Sequence, residues 1–155
     1  MKEVQKKNII QKVRYVYETR GLGMMCRTVM REVWGIVLSK ILRRRVVRAR
    51  ILDFVMFLDL RDKGISRALW LFGVRELDHK WIMEKTLPTG STVLDIGANI
   101  GYYALIERSL VGNSGRIIAV EPSPDNLNLL RRNMNENRVS NVEIVEGAVS
   151  NIAGV

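Results

Sequence analysis

Two short apolar runs, each containing a carboxylate near its end, constrain the fold of this chain more than any other feature. The first covers residues 92–96, contains Asp95 and opens into a turn with two glycines. The second covers residues 116–121 and ends at Glu121. A β-branched run with few polar breaks is typical of a parallel strand buried on both faces, and the segment between the runs has helical periodicity. The pattern predicts an α/β fold in which both carboxylates emerge at one edge of a parallel sheet.

The turn after the first strand has the composition of a ligand site. Gly97 and Gly101 flank it, and such positions favour residues that tolerate positive φ or lack a Cβ where a ligand comes close. The following helix presents free N–H groups, and open α/β sheets bind ligands at the carboxyl ends of their strands. A carboxylate at Glu121 can there accept both hydroxyls of a ribose. Because lone glycine turns are common in α/β proteins, the predicted site depends on Asp95, Asn99 and Glu121 together.

The residues that the turn lacks restrict which nucleoside cofactor the site can bind. A dinucleotide fingerprint that starts at Gly97 needs further glycines where this chain has Asn99 and Tyr102, because a pyrophosphate approaches the backbone closely. A phosphate loop ending in Gly-Lys-Ser or Gly-Lys-Thr is also absent from the sequence. These features favour S-adenosylmethionine, which carries ribose and adenine but no phosphate, over a nicotinamide dinucleotide.

The amino-acid sequence of these motifs resembles that of a known family. The chain is similar to the FkbM-type family of class I S-adenosylmethionine-dependent methyltransferases in the following segments: 95–103 (Asp-Ile-Gly-Ala-Asn-Ile-Gly-Tyr-Tyr), 121–124 (Glu-Pro-Ser-Pro), Asn133, Asn137 and 147–150 (Gly-Ala-Val-Ser). The similarity is strongest over residues 93–150. It implies the Rossmann-like fold of these enzymes and methyl transfer to an oxygen atom of a small molecule or sugar.

The resemblance also implies a set of cofactor contacts. Asp95 would contact the methionine amine directly or through water, and Glu121 would bind the ribose. Gly97 and Gly101 would line the methionine part, and Asn99 would shape the turn between them. Pro122 and Ser123 would border the adenine, and Gly147 and Ala148 would close the adenine pocket. No residue is assigned as a catalytic base, and Glu107, in the helix after the glycine turn, is expected to point outward. A metal site is not predicted, because the chain has one histidine and one cysteine.

The predicted order of elements from residue 92 onwards is strand, helix, strand, helix, strand, with the third strand at 141–145. A sheet of this class normally has seven strands, so the resemblance implies the cofactor-binding half, truncated at the C-terminus. Before it, 51–60 is predicted as a strand, and 65–72 and 76–87 as helices. We divide the chain into a basic helical arm (1–50), a segment leading into the core (51–90) and the N-terminal half of the cofactor domain (91–155).

The net charge of +9 comes from the arm. Residues 1–50 contain fourteen Lys or Arg and three Glu, whereas the rest of the chain has more acids than bases. Apolar residues over 24–47 recur at three- and four-residue spacing, which predicts an amphipathic helix with a basic face. We expect it to pack on the domain as a lid or dimer element, with its arginines in solvent. Contact of residues 24–50 with an anionic membrane surface stays open, whereas nucleic acid is disfavoured because aromatic residues are few.

Two classes of function remain open at this point. The first is methyl transfer to a small-molecule acceptor by a chain that associates with a second copy or with a C-terminal-half partner. The alternative is a non-catalytic α/β protein whose basic arm binds a membrane surface, nucleic acid or a partner chain. The sequence has no secretory signal, and its longest uncharged segment, 96–106, is too short to span a bilayer. We therefore expect a cytoplasmic protein.

Overall fold

A computed structural model describes residues 9–151 of the chain, with side chains from residue 21 onwards. The ends of the predicted arm and cofactor half, 1–8 and 152–155, lie outside the described residues. The helices and strands occur in this order: α1 (Ile9–Ile36), a π-helical segment (Val37–Ile41), β1 (Val46–Ile51), β2 (Phe54–Asp59), α2 (Ile65–Phe72), α3 (Leu77–Thr86), β3 (Thr92–Ile96), α4 (Tyr102–Val111), β4 (Arg116–Glu121), α5 (Pro124–Glu136) and β5 (Val142–Glu146).

The centre of the fold is a parallel sheet of three strands, as the sequence predicts, and the strands lie in the order β3-β4-β5. The register places Asp95 beside Ala119. Helices α4 and α5 form the two crossovers, which parallel strands require. One face of the sheet forms the core, where Ile117 and Ala119 are fully buried, whereas Leu94 and Ile96 on the opposite face of β3 are each 58% exposed.

The segment before the sheet differs from its prediction. The strand expected over 51–60 is confirmed as β2, but the sequence did not indicate the strand before it, β1, and the two strands pair antiparallel as a hairpin. Its two-residue turn contains Leu52 at φ 53° and no glycine, so the usual Asn-Gly or Asp-Gly signal is missing. The helix expected up to Val47 ends at Ile41, since Val46 and Val47 pair with β2 instead.

Two asparagines of α5 attach this hairpin to the core. Asn133 accepts a hydrogen bond from Phe57 N (2.7 Å), and Asn137 accepts one from Val55 N (3.0 Å) and donates to Val55 O (2.8 Å). Residues four apart on a helix are separated by about 6 Å, and residues two apart on a strand by about 6.6 Å. Because these two spacings are similar, the side-chain amides of Asn133 and Asn137 can form hydrogen bonds with the backbone of β2 at Phe57 and Val55, as a neighbouring strand would.

Helix α1 packs on α2 through polar groups. The indole Nε1 of Trp70 donates to Arg31 O, and the guanidinium of Arg31 donates to Trp70 O, both at 2.8 Å. Gly35 permits this approach, because a Cβ there would lie 2.9 Å from Trp70 Nε1. The expectation that this helix packs on the domain is confirmed by these contacts, but Arg31 is half-buried instead of solvated, and the apolar side chains of Val33 and Ile36 are exposed. A role as a lid or dimer element stays a prediction.

No helix within residues 9–151 has the length and apolar content needed to cross a bilayer. The division of the chain at residues 50 and 90 stays a prediction.

Candidate cofactor site

The turn between β3 and α4 has three residues with positive φ: Gly97 at 80°, Asn99 at 53° and Gly101 at 85°. Its start is held against the neighbouring strand, since the N–H groups of Gly97 and Ala98 donate to Val120 O at 2.8 and 3.0 Å. A Cβ at Gly97 would have no heavy atom within 4 Å. The turn therefore presents bare backbone to open space, as the sequence prediction of a ligand site requires.

Gly101 has a different role. A Cβ at this position would lie 2.6 Å from both Leu130 Cδ1 and Met134 Cε of α5. The absence of a side chain lets the start of α4 approach α5 closely. Its implied contact with the methionine part of the cofactor stays a prediction.

Glu121 joins the two loops that follow β3 and β4. Its Oε2 accepts a hydrogen bond from Asn99 N (2.8 Å), and its Oε1 accepts from Ser123 N (2.9 Å) and from the amide of Asn126 (3.0 Å). The residue is 4% exposed. An ionised carboxylate has about four acceptor positions, so a ribose hydroxyl would take the remaining position or replace one of these donors. Asn126 is a further hydrogen-bond donor to Glu121 that no sequence signal indicated.

Asp95 lies on the same side of the sheet as Glu121. Asp95 pairs with Ala119, and Glu121 follows two residues later on the same face of β4. Burial raises the pKa of Asp95 to about 6, and the nearby charge of Glu121 acts in the same direction. Its Oδ2 atom is buried and has no hydrogen-bond partner within the described residues. The positive amino group of S-adenosylmethionine fits this position, because it would supply the missing donor.

A third carboxylate, Glu107 of α4, lies near Asp95, which in turn lies near Glu121. It is 7% exposed and its Oε2 has no partner among the described groups. Burial raises the pKa of Glu107 to about 7, and the charge of Asp95 adds to the effect. The sequence suggested an outward direction for this side chain, and that is wrong because α4 is buried on several sides, with Leu105 and Ile106 also inside.

The remaining predicted residues border these loops. Gly147 N donates to Glu121 O (3.2 Å), and a Cβ at Gly147 would meet only open space. Ala148 and Pro122 are exposed, and Ser123 stands at the N-terminal cap of α5. The structure thus brings the predicted residues to one edge of the sheet, while their contacts with a cofactor stay predictions.

Comparison with known proteins identifies the family. The model of the TRM5/TYW2 methyltransferase domain matches residues 64–154, which is more than half of the chain. This chain belongs to that family. The resemblance to class I methyltransferases is therefore confirmed at the level of the superfamily. The family that matches is TRM5/TYW2, and the FkbM-type family is not shown.

Individual curated relatives are also named as methyltransferases. Over 61 residues the chain is 38% identical to a protein-L-isoaspartate O-methyltransferase from Methanothrix thermoacetophila, covering 39% of this chain and 29% of the relative. Over 58 residues it is 36% identical to a probable cobalt-precorrin-6B C(15)-methyltransferase from Sulfolobus acidocaldarius, covering 37% of this chain and 30% of the relative. The chain thus matches less than a third of the length of these curated relatives.

A solved structure confirms the fold class. The crystal structure of Methanocaldococcus jannaschii TYW2 in complex with AdoMet superposes with a TM-score of 0.54, at 17% identity over 66% of this chain and 43% of that one. The described part of the chain therefore has the α/β, Rossmann-like architecture of class I methyltransferases.

Proposed function

We propose that this chain is the S-adenosylmethionine-binding part of a methyltransferase. The observation that carries the proposal is the position of Asp95, with an unpartnered buried oxygen, beside Glu121 and beneath an open glycine turn. The acids come from adjacent parallel strands, and the turn has no side chain that would fill the space beside Gly97. Membership of the methyltransferase family supports the same function.

Each residue has a defined task in this proposal. Asp95 accepts a hydrogen bond from the cofactor's ammonium group, and the open side of Gly97 admits the methionine part. Glu121 accepts from the ribose while it holds the turn through Asn99. Gly147 leaves room for the adenine. The cofactor, when bound, supplies a methyl group already activated on a sulfonium, so these residues act chiefly by orienting it toward an acceptor.

We further propose that the acceptor atom is an oxygen of a small molecule or sugar. The resemblance of residues 95–103 to the FkbM-type family supports this acceptor, and the name of the protein-L-isoaspartate O-methyltransferase supports oxygen as the acceptor atom. The cobalt-precorrin relative is named for methylation at a carbon, so an acceptor screen with labelled cofactor needs both oxygen and carbon nucleophiles. Residues that bind the acceptor would come from a second copy or from a C-terminal-half partner. The cytoplasmic location stays a prediction.

Isothermal titration of the folded chain with S-adenosylmethionine tests the cofactor proposal. We expect one site per chain and a loss of affinity of about tenfold or more in Asp95→Asn, since a hydrogen bond between charged groups contributes about 1.5 to 3 kcal/mol. Glu143→Gln is the matched control, because Glu143 pairs with Arg116 on exposed parts of the same sheet. A folded chain that does not bind the cofactor would instead support the non-catalytic alternative.

A further inference from the structure

The side of α1 that faces solvent is apolar. Thr28, Arg31, Glu32 and Gly35 form the inward side, where Arg31 and Gly35 contact Trp70 and Glu32 pairs with Arg67. The opposite side, called the outer α1 face below, consists of apolar side chains between 42% and 65% exposed: Leu22, Val29, Met30, Val33, Trp34 and Ile36. The helix therefore presents to water the residues that amphipathic helices usually bury.

The members of this face form one continuous stripe. Spacings of three, four and seven residues connect them, so they lie along one side of the helix. From Leu22 to Ile36 the stripe extends for about 21 Å at 1.5 Å per residue. Cys26, which lies between its first members, is also exposed. An exposed apolar surface of this extent is typical of an interaction site.

Basic side chains lie beside the stripe and at its C-terminal end. Arg27 lies beside it and is exposed, and Lys40, Arg43 and Arg44 follow its C-terminal end and are also exposed. They belong to the segment of the sequence, residues 1–50, in which basic residues greatly outnumber acids. Aliphatic residues in the centre, a tryptophan and flanking arginines are the composition of helices that lie in a membrane interface.

We propose that the outer α1 face binds the surface of an anionic phospholipid membrane, with α1 parallel to the bilayer plane. Met30 and Val33 insert between the lipids, Trp34 lies at headgroup depth, and Arg43 and Arg44 pair with lipid phosphates. This attachment would hold the methyltransferase fold at the membrane surface. It is independent of cofactor binding.

Charge favours a lipid over other occupants. A second copy docked through the same face would bring two strongly basic arms together, and like charges repel. Nucleic acid would require basic or aromatic side chains along the centre of the face, where this chain has Val29, Met30 and Val33. Anionic lipid matches both the apolar centre and the basic surroundings.

Flotation of the full chain with vesicles tests the proposal. We expect binding to vesicles that contain phosphatidylserine, weaker binding to vesicles of phosphatidylcholine alone, and release by salt. Met30→Ser with Val33→Ser should weaken partitioning by about tenfold or more, because it removes two apolar side chains from the lipid. The matched control is Leu77→Ser with Ile82→Ser, two α3 residues that are 49% and 48% exposed. All substituted side chains are at the surface, and circular dichroism checks that each variant is folded.

Tryptophan fluorescence gives a second readout. Transfer of Trp34 into the interface should shift the emission to shorter wavelength, and Trp34→Phe should remove the shift. Trp81→Phe should retain it, although Trp81 is equally exposed. The proposal is overturned if the Met30/Val33 variant floats as well as the parent chain. It is also overturned if the parent chain does not bind vesicles and instead forms a dimer without lipid that the same two substitutions dissociate. Retention of the complete shift in Trp34→Phe would also contradict it.

Discussion

At the scale of single residues, several polar side chains at the site bind the protein's own backbone. Glu121 accepts from Asn99 N and Ser123 N, and Asn133 connects Phe57 of the hairpin with Ile100 of the glycine turn. Buried peptide groups need such partners wherever a loop leaves the sheet. The shape of the cofactor turn therefore depends on side chains of α5 and β4 as well as on its own glycines.

Asn133→Ala should destabilise the chain by about 3 kcal/mol, because it leaves Phe57 N–H and Ile100 C=O buried without a partner. Urea denaturation followed by circular dichroism measures the free energy of unfolding. Asn135→Ala, an exposed position on the same helix, is the control and should change it little. Equal stability of the two variants would contradict the backbone role of Asn133.

The buried Glu107 should make stability depend on pH. Its pKa is raised to about 7 in the folded chain, so the folded state binds more protons than the unfolded state between the usual carboxyl pKa and pH 7. The free energy of unfolding therefore falls as the pH rises through this window. Glu107→Gln should be more stable than the parent by about 3 kcal/mol at pH 8 and nearly equal at pH 4. Denaturation at both pH values measures this, and a pH-independent difference would refute it.

Cofactor affinity should follow the ionisation of Asp95, if the proposed function holds. The pKa of Asp95 is raised to about 6, and a protonated carboxyl no longer attracts an ammonium group. Titration with S-adenosylmethionine should show affinity falling as the pH is lowered through this value. Asp95→Asn should bind weakly with a flatter pH profile. An identical profile in the variant would assign the pH dependence to another group.

At the scale of secondary-structure elements, the two glycines of the turn serve different purposes. Gly101 allows α4 to begin against Leu130 and Met134 of α5, whereas Gly97 faces open space. Both have positive φ, which disfavours any other residue. The same turn thus combines a packing requirement at its end with a ligand requirement at its start.

Alanine substitutions should separate these two requirements. Gly101→Ala should cost about 3 kcal/mol of stability, since strain at positive φ adds to the clash with α5. Gly97→Ala should cost about 1 kcal/mol from strain alone, yet weaken binding of S-adenosylmethionine more than its stability change explains. Thermal unfolding and cofactor titration of both variants measure the two effects. A larger loss of stability in Gly97→Ala would reverse this assignment.

At the scale of the whole molecule, the described sheet has an open edge and an uncovered face. Strand β3 pairs only with β4, and Leu94, Ile96 and Val145 are exposed on the face opposite the core. Unpaired strand edges next to apolar surface favour association with other chains. The chain by itself should therefore self-associate as its concentration rises.

Leu94→Lys with Ile96→Lys should reduce this self-association, because two charges on the uncovered face oppose contact. Sedimentation velocity over a range of concentrations measures the distribution of species. Glu143→Lys, on the same face of β5 at the other edge of the sheet, tests whether a change of charge that removes no apolar side chain has the same effect. A parent chain that stays monomeric at high concentration would refute the prediction.

Local signals in the sequence were sufficient for the elements around the site. The β-branched run of β3, the helical spacing of α4 and the proline after Glu121 predict bounds that the structure reproduces within one or two residues. The alternation along a parallel strand also places Asp95 and Glu121 on one side of the sheet. These features follow from backbone preferences and side-chain periodicity, which act over a few residues.

Tertiary structure decided what depends on residues distant in sequence. The hairpin of β1 and β2 depends on the amides of α5, the inward direction of Glu107 on burial of α4 from several sides, and the apolar outer side of α1 on the contact of Gly35 with Trp70. Periodicity shows that a helix has two different sides, but it does not show which side has a partner. That choice is made by the surfaces that meet when the chain folds, so the direction of α1 could be read only from the folded molecule.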